Sequence, residues 1–149
     1  MLYLLLQALW FLMPAMWANM APIWAKQIPL LDQLDTPIDG GRSFRGKPVF
    51  GRNKTYRGFV SGIIAALSIA LFQFFLSELS SVVNNLEFFD MALVDYISLA
   101  FLTGLGALLG DSLESFVKRQ LNKPPGQSWF PFDQLDYVVV ALVFRCQCT

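Results

Sequence analysis

The stretch GFVSGIIAALSIALFQFFLS, Gly58 to Ser77, runs for twenty residues without a charge. At a rise of about 1.5 Å per residue, a helix of that length matches the hydrocarbon thickness of a bilayer, roughly 30 Å. The composition agrees, with 55% of the 149 residues hydrophobic and 15% charged, whereas an ordinary soluble domain carries roughly 25% charged residues. The class is integral membrane, and the length allows one domain.

On the N-terminal side, Met1 to Ala25 carries no charge. A secretory signal would have a basic leading region and an apolar run of roughly 7 to 15 residues, so this segment reads as a first span. Pro14 and Asn19 should loosen its helix, and such positions are tolerated where they face protein or a cavity. On the C-terminal side, Met91 to Leu109 reads as a third span, with Gly104, Gly106 and Ala107 allowing close helix approach. Tyr137 to Phe144 is an apolar run that would reach only about 12 Å as helix. The expected fold is an all-α polytopic membrane bundle with three full spans, at about 2–25, 58–77 and 91–109. An incomplete fourth is expected at 132–147, on a C-terminus that reads as truncated. No internal repeat or low-complexity segment interrupts this pattern.

A formal net charge of zero hides an asymmetry. The first connection, 26–57, holds seven basic residues (Lys26, Arg42, Arg45, Lys47, Arg52, Lys54, Arg57) against three acidic ones (Asp32, Asp35, Asp39). The second, Glu78 to Asp95, has four acidic residues and no Lys or Arg, and the third, 110–131, is again basic through Lys118, Arg119 and Lys123. Basic loops mark the cytoplasmic side, so the N-terminus is expected outside and the first and third connections in the cytoplasm of a multi-pass protein of the cell membrane.

The chain has no histidine, and its two cysteines, Cys146 and Cys148, lie at the C-terminus. A Cys/His zinc site or nucleophile pair is thereby excluded, and chemistry must rest on carboxylates, cations and metal. Such residues gather in Gly110-Asp111-Ser112-Leu113-Glu114-Ser115-Phe116-Val117-Lys118-Arg119 and, further on, in Pro131-Phe132-Asp133-Gln134-Leu135-Asp136. On a helix Asp111, Ser115, Lys118 and Arg119 share one face, with Glu114 beside it; Asp133 and Asp136 share another. Carboxylates beside Lys and Arg at a membrane boundary suit a magnesium–polyphosphate complex, because oxygen ligands hold the metal and cations hold the phosphates. The plainer reading is that juxtamembrane Lys and Arg follow topology and touch anionic lipid, and that an isolated Asp caps a helix. Acidic residues gain nothing from anionic lipid, and this favours a site for Asp111, Asp133 and Asp136.

Gly40-Gly41-Arg42-Ser43-Phe44-Arg45-Gly46-Lys47 and Gly51-Arg52-Asn53-Lys54-Thr55-Tyr56-Arg57-Gly58 repeat the theme. Glycines let backbone approach an anion, and Arg and Lys offer charge-assisted contacts to phosphate. The loop matches no Walker or dinucleotide fingerprint, and no nucleic-acid partner is expected.

Taken together, Asp39-Gly40-Gly41-Arg42, Gly51 to Phe59, Gly110-Asp111-Ser112, Ser115 to Arg119 and Pro131 to Asp136 resemble the CDP-archaeol synthase family, archaeal relatives of the membrane phosphatidate cytidylyltransferases. The resemblance covers nearly the whole chain to about Phe144. It implies Mg²⁺-dependent transfer of CMP from CTP to the phosphate of 2,3-bis-O-geranylgeranylglyceryl phosphate (archaetidic acid) or a related phosphatidic acid, with release of pyrophosphate. By that resemblance Asp111, Asp133 and Asp136 would be metal ligands, and Asp133, Asp136, Lys118 and Arg119 catalytic. Arg42, Arg45, Lys54, Arg57, Ser115 and Lys123 would bind nucleotide and lipid phosphate. Bacterial and eukaryotic cytidylyltransferases carry His-Gly-Gly before their last Asp pair; Trp129-Phe130-Pro131-Phe132 stands here and sides with the archaeal branch. That family continues into complete fourth and fifth spans.

Three alternatives remain: a CDP-diacylglycerol synthase acting on acyl phosphatidic acid, a non-catalytic component docking anionic lipid or a protein, and a small transporter. The transporter reading is weakened because the spans hold only Asp95, near an end.

Overall fold

The computed structural model describes residues 1–86 and 92–123. The expected fourth span, Asp133, Asp136 and the two cysteines lie outside the described residues. The elements run in the order α1 (Leu2–Ala25), a 3₁₀ helix (Pro29–Leu34), β1 (Ser43–Phe44), β2 (Lys47–Pro48), α2 (Tyr56–Leu79), a short α3 (Ser81–Asn84) and α4 (Leu93–Gln120). Helices α1, α2 and α4 are each long and apolar enough to cross a membrane, and each packs on the other two. Much of their apolar surface, including Ile64, Phe72, Phe75, Leu102 and Leu109, stays exposed on the bundle's outside, where lipid is its natural solvent.

The bundle closes on small residues. A Cβ added at Gly62 of α2 would lie 2.7 Å from the Ala18 carbonyl oxygen and 2.9 Å from both Leu108 methyls; one added at Gly104 of α4 would lie 2.8 Å from Ala66 Cβ. Ala18, Ala66 and Leu108 form one buried cluster, and Ala70, Tyr96 and Ala100 a second. Lipid offers helices no hydrophobic reason to associate, so close backbone approach and interhelical polar contacts hold such bundles together.

Both prolines of α1 illustrate this. Pro14 has no N–H to donate, so the Trp10 carbonyl loses its helical partner. Gln73 Nε2 of α2 donates to that oxygen over 2.7 Å, and Gln73 is buried. Pro22 likewise frees the Ala18 carbonyl, and Gly62 stands against it with no side chain in between. Hydroxyls within the spans are satisfied locally: Ser68, Thr103 and Ser112 each donate to the carbonyl four residues earlier, at 2.8 Å.

Helix α2 starts where Thr55 Oγ1 accepts the Gly58 N–H over 3.3 Å. Helix α4 starts with the Asp95 carboxylate accepting the Ala92 N–H over 2.9 Å and runs past residue 109 to Gln120. There it stops in a Schellman turn: Asn122 adopts φ 58°, its N–H donates to the Arg119 carbonyl, and the Lys123 N–H donates to that of Lys118. The overrun carries the polar face of α4 beyond the apolar bundle, toward the first connection.

Candidate active site

The first connection folds back on itself before entering α2. The Ile38 N–H donates to the Lys54 carbonyl over 2.9 Å and the Tyr56 N–H to that of Thr36 over 3.1 Å, so the segment before Asp39 lies antiparallel to the segment carrying Lys54. Between them β1 and β2 pair antiparallel, Phe44 opposite Lys47, around a turn with positive φ at Arg45 (52°) and Gly46 (76°). Arg in the left-handed region costs roughly 1 kcal/mol. Its guanidinium carbon sits 5.4 Å from the centre of the Phe44 ring, which partly offsets that cost.

Asp39 organises this loop. Its Oδ1 accepts the Gly41 N–H (2.9 Å), and its Oδ2 accepts those of Phe50 (3.0 Å) and Gly51 (3.3 Å). Burial raises the Asp39 pKa, but the backbone donors at Phe50, Gly41 and Gly51 outweigh it and hold the carboxyl below its usual range. Gly51 has φ 86°, a conformation closed to most side chains.

The loop docks on the end of α4. The Phe44 and Phe50 rings lie 6.1 and 6.4 Å, centre to centre, from Phe116, and Lys47 Nζ donates to the Gln120 carbonyl. A Cβ on Gly51 would stand 3.9 Å from Arg119 Cδ, so the loop backbone runs along the Arg119 stem. Lys54 pairs with Asp111. The lysine is mostly buried, 16% exposed, while Asp111 keeps 41% of its side chain open. One turn further on, Glu114 pairs with Lys118. Arg119 Nε is buried without a hydrogen-bond partner among the described residues.

Of the residues singled out from sequence, Lys54 and Asp111 are thus brought into contact. Lys118, Arg119 and half-buried Ser115 follow on α4, and Lys123 lies just past its terminal turn. Arg42 and Arg45 are exposed on the docked hairpin. Arg57, 7% exposed, faces elsewhere: Nη1 donates to Asp32 over 3.1 Å and Nη2 to Asp35 over 2.9 Å. Its guanidinium pins the 3₁₀ helix to the start of α2. Sequence reading gave no role to Asp39, Phe50 or Phe116, although Asp-Gly-Gly is itself a turn signature that could have singled out Asp39.

Among the described residues no three metal-ligating side chains cluster. Asp111 fits as one hard-oxygen ligand, since its carboxylate is partly open, although a metal there would share it with Lys54. The assembly presents one accessible carboxylate amid cations at the mouth of an apolar bundle, an arrangement suited to a polyanion delivered at a membrane surface.

Comparison with known proteins bears on this arrangement. A family model described as CarS-like, CDP-archaeol synthase, matches residues 1–149. The chain is 39% identical over 110 residues to the CDP-archaeol synthase of Methanocaldococcus jannaschii, covering 73% of this chain and 61% of that one. It is 37% identical over 117 residues to that of Thermococcus kodakarensis, covering 78% and 63%. The chain thus spans about three fifths of the length of these curated relatives. A solved structure described as an intramembrane enzyme for archaeal membrane lipid biosynthesis superposes with a TM-score of 0.65 at 29% identity, covering 91% of this chain and 73% of that one.

Proposed function

The chain belongs to the CarS-like CDP-archaeol synthase family, and from that premise we propose that it is the CTP-dependent cytidylyltransferase of archaeal-type phospholipid synthesis. It transfers CMP from CTP to archaetidic acid and releases pyrophosphate. The observation that carries the reading is the Lys54–Asp111 contact, because it joins the two basic connections at one end of the bundle. Both basic connections at one end fit a cytoplasmic site with the N-terminus outside, on the side where CTP is found.

A phosphomonoester has a second pKa of roughly 6, so the lipid phosphate is largely dianionic near neutral pH and attacks without a base. Its oxygen forms a bond to the α-phosphorus of CTP while the bond from that phosphorus to the β-phosphate oxygen breaks. The electron pair leaves with pyrophosphate, and no proton need move. A chain without histidine is therefore no obstacle to this reaction.

Two polyanions must meet, so the work of the protein is neutralisation and alignment. Lys118 and Arg119 contact the phosphates at the reacting centre; Arg42, Arg45, Lys54, Lys123 and the Ser115 hydroxyl hold the remaining phosphate oxygens. Arg57 serves from outside the site, by fixing the segment that leads into α2. Asp111, with Asp133 and Asp136 from beyond the described residues, would hold Mg²⁺. The ion supplies charge neutralisation to the triphosphate when bound.

Full-length protein in membranes, given labelled CTP, Mg²⁺ and either archaetidic acid or a diacyl phosphatidic acid, tests the reading. Label in the archaetidic acid, with little in the acyl lipid, is expected. Equal transfer to the acyl lipid would replace the ether substrate, and no transfer to either would overturn the enzyme.

A further inference from the structure

We propose that Asp39 is a positioning residue for the phosphate-binding cations, resting on the cytidylyltransferase reading: one carboxylate shapes the basic loop and clamps it to the α4 face. Its two oxygens serve different parts of the structure. Oδ1 takes the Gly41 N–H, which fixes the backbone entering Arg42. Oδ2 takes the N–H groups of Phe50 and Gly51, whose ring and backbone, respectively, lie against Phe116 and Arg119. The Arg42 backbone is held further, its N–H donating to the Asp39 carbonyl and its own carbonyl accepting the Val49 N–H.

An exposed loop bearing Arg42, Arg45 and Arg52 repels itself, and each added cation makes ordering costlier. An ionised carboxylate inside the loop answers this twice, with negative charge and with three charge-assisted acceptor contacts. Among the described residues Asp39 makes no ion pair with Lys54, Lys118 or Arg119, and its role needs no contact with substrate. It sets where the hairpin cations stand relative to the α4 cations, and so should govern CTP capture more than the chemical step.

The test uses the full-length protein with Asp39→Ala and Asp39→Asn. Charge-assisted hydrogen bonds of this kind correspond to roughly a tenfold or larger change in an equilibrium. Asp39→Ala should therefore raise the KM for CTP about tenfold with a smaller change in kcat, and should speed tryptic cleavage at Arg42, Arg45 and Arg52 by a similar factor. Asn keeps an acceptor oxygen but turns an N–H₂ toward backbone donors, so Asp39→Asn should fall between wild type and Ala in both readouts. If Asp39→Ala does not fold, Asp39→Asn carries the test. Unchanged KM together with unchanged loop cleavage would overturn the inference, and so would a fall in kcat with no rise in the KM for CTP. The cleavage arm needs no turnover: a wild-type protein that transfers no CMP sinks the enzyme reading, whereas faster cleavage of the variant still reports the clamp.

Discussion

Lys54 and Asp111, separated by 57 residues in the chain, meet as an ion pair where the first connection lies against the overrun of α4. The pair is part open to solvent, so its contribution to stability is small, on the order of 1 kcal/mol. Its effect on activity should be much larger, because both members sit among the proposed phosphate and metal groups. Lys54→Met and Asp111→Asn should each lower CMP transfer roughly a hundredfold while the unfolding transition in detergent moves little. Loss of activity matched by an equal loss of stability would assign the pair a scaffold role.

Arg57 should behave in the opposite way. It is almost fully buried between Asp32 and Asp35. Its removal leaves both carboxylates exposed and solvated, so the cost is that of the lost charge-assisted hydrogen bonds and the packed stem, about 2 kcal/mol. Arg57→Ala should lower the unfolding temperature in detergent clearly more than Lys54→Met does. Similar melting curves for the two would contradict the distinction.

The seam of α1 and α2 gives a test independent of activity. Gln73→Leu leaves the Trp10 carbonyl without a donor and should cost about 1 kcal/mol, in the range of interhelical hydrogen bonds in membranes. Pro14→Ala restores the backbone N–H that the carbonyl lacks. In a double-mutant cycle, Gln73→Leu should therefore be better tolerated in the Pro14→Ala background than in the chain that keeps Pro14; strict additivity would show that the two sites are not coupled.

These contacts mark what the sequence could and could not disclose. Apolar runs at 1–25, 58–77 and 91–109, the last with only Asp95 near its start, were legible as spans because bilayer thickness dictates their length. The destinations of Lys54 and Arg57 were not: they are three residues apart and chemically alike, yet Lys54 precedes the Thr55 cap and reaches Asp111, while Arg57 lies inside the first turn of α2 and reaches back to the 3₁₀ helix. No periodicity relates either to its partner. The clustering of Asp111, Ser115, Lys118 and Arg119 was legible from helical spacing. Asp39 was legible as the first residue of an Asp-Gly-Gly-Arg motif but not in its role, because that role depends on backbone N–H groups that any residue supplies.

The depressed Asp39 pKa fixes the sign of a pH effect. A carboxyl whose folded pKa lies below its unfolded value, roughly 3.9, stabilises fully above that value, and the contribution is lost as pH falls through the folded pKa. Amide exchange in residues 40–51, corrected for intrinsic rates, should stay protected from neutral pH down to about pH 4 and open below it. In Asp39→Asn the protection should be weaker and flat over the same range. Opening of the wild-type loop between pH 5 and 7 would show that another group controls it.

The most direct measurement follows the two ends of CTP. Full-length protein is incubated with archaetidic acid, Mg²⁺ and CTP labelled either at the α- or at the γ-phosphate. Cytidylyl transfer through the Lys54–Asp111 site requires α-label in the lipid and γ-label in pyrophosphate, with both signals falling together in Asp111→Asn. Label from the γ-position in the lipid, or α-label released as free CMP with none in the lipid, would contradict it.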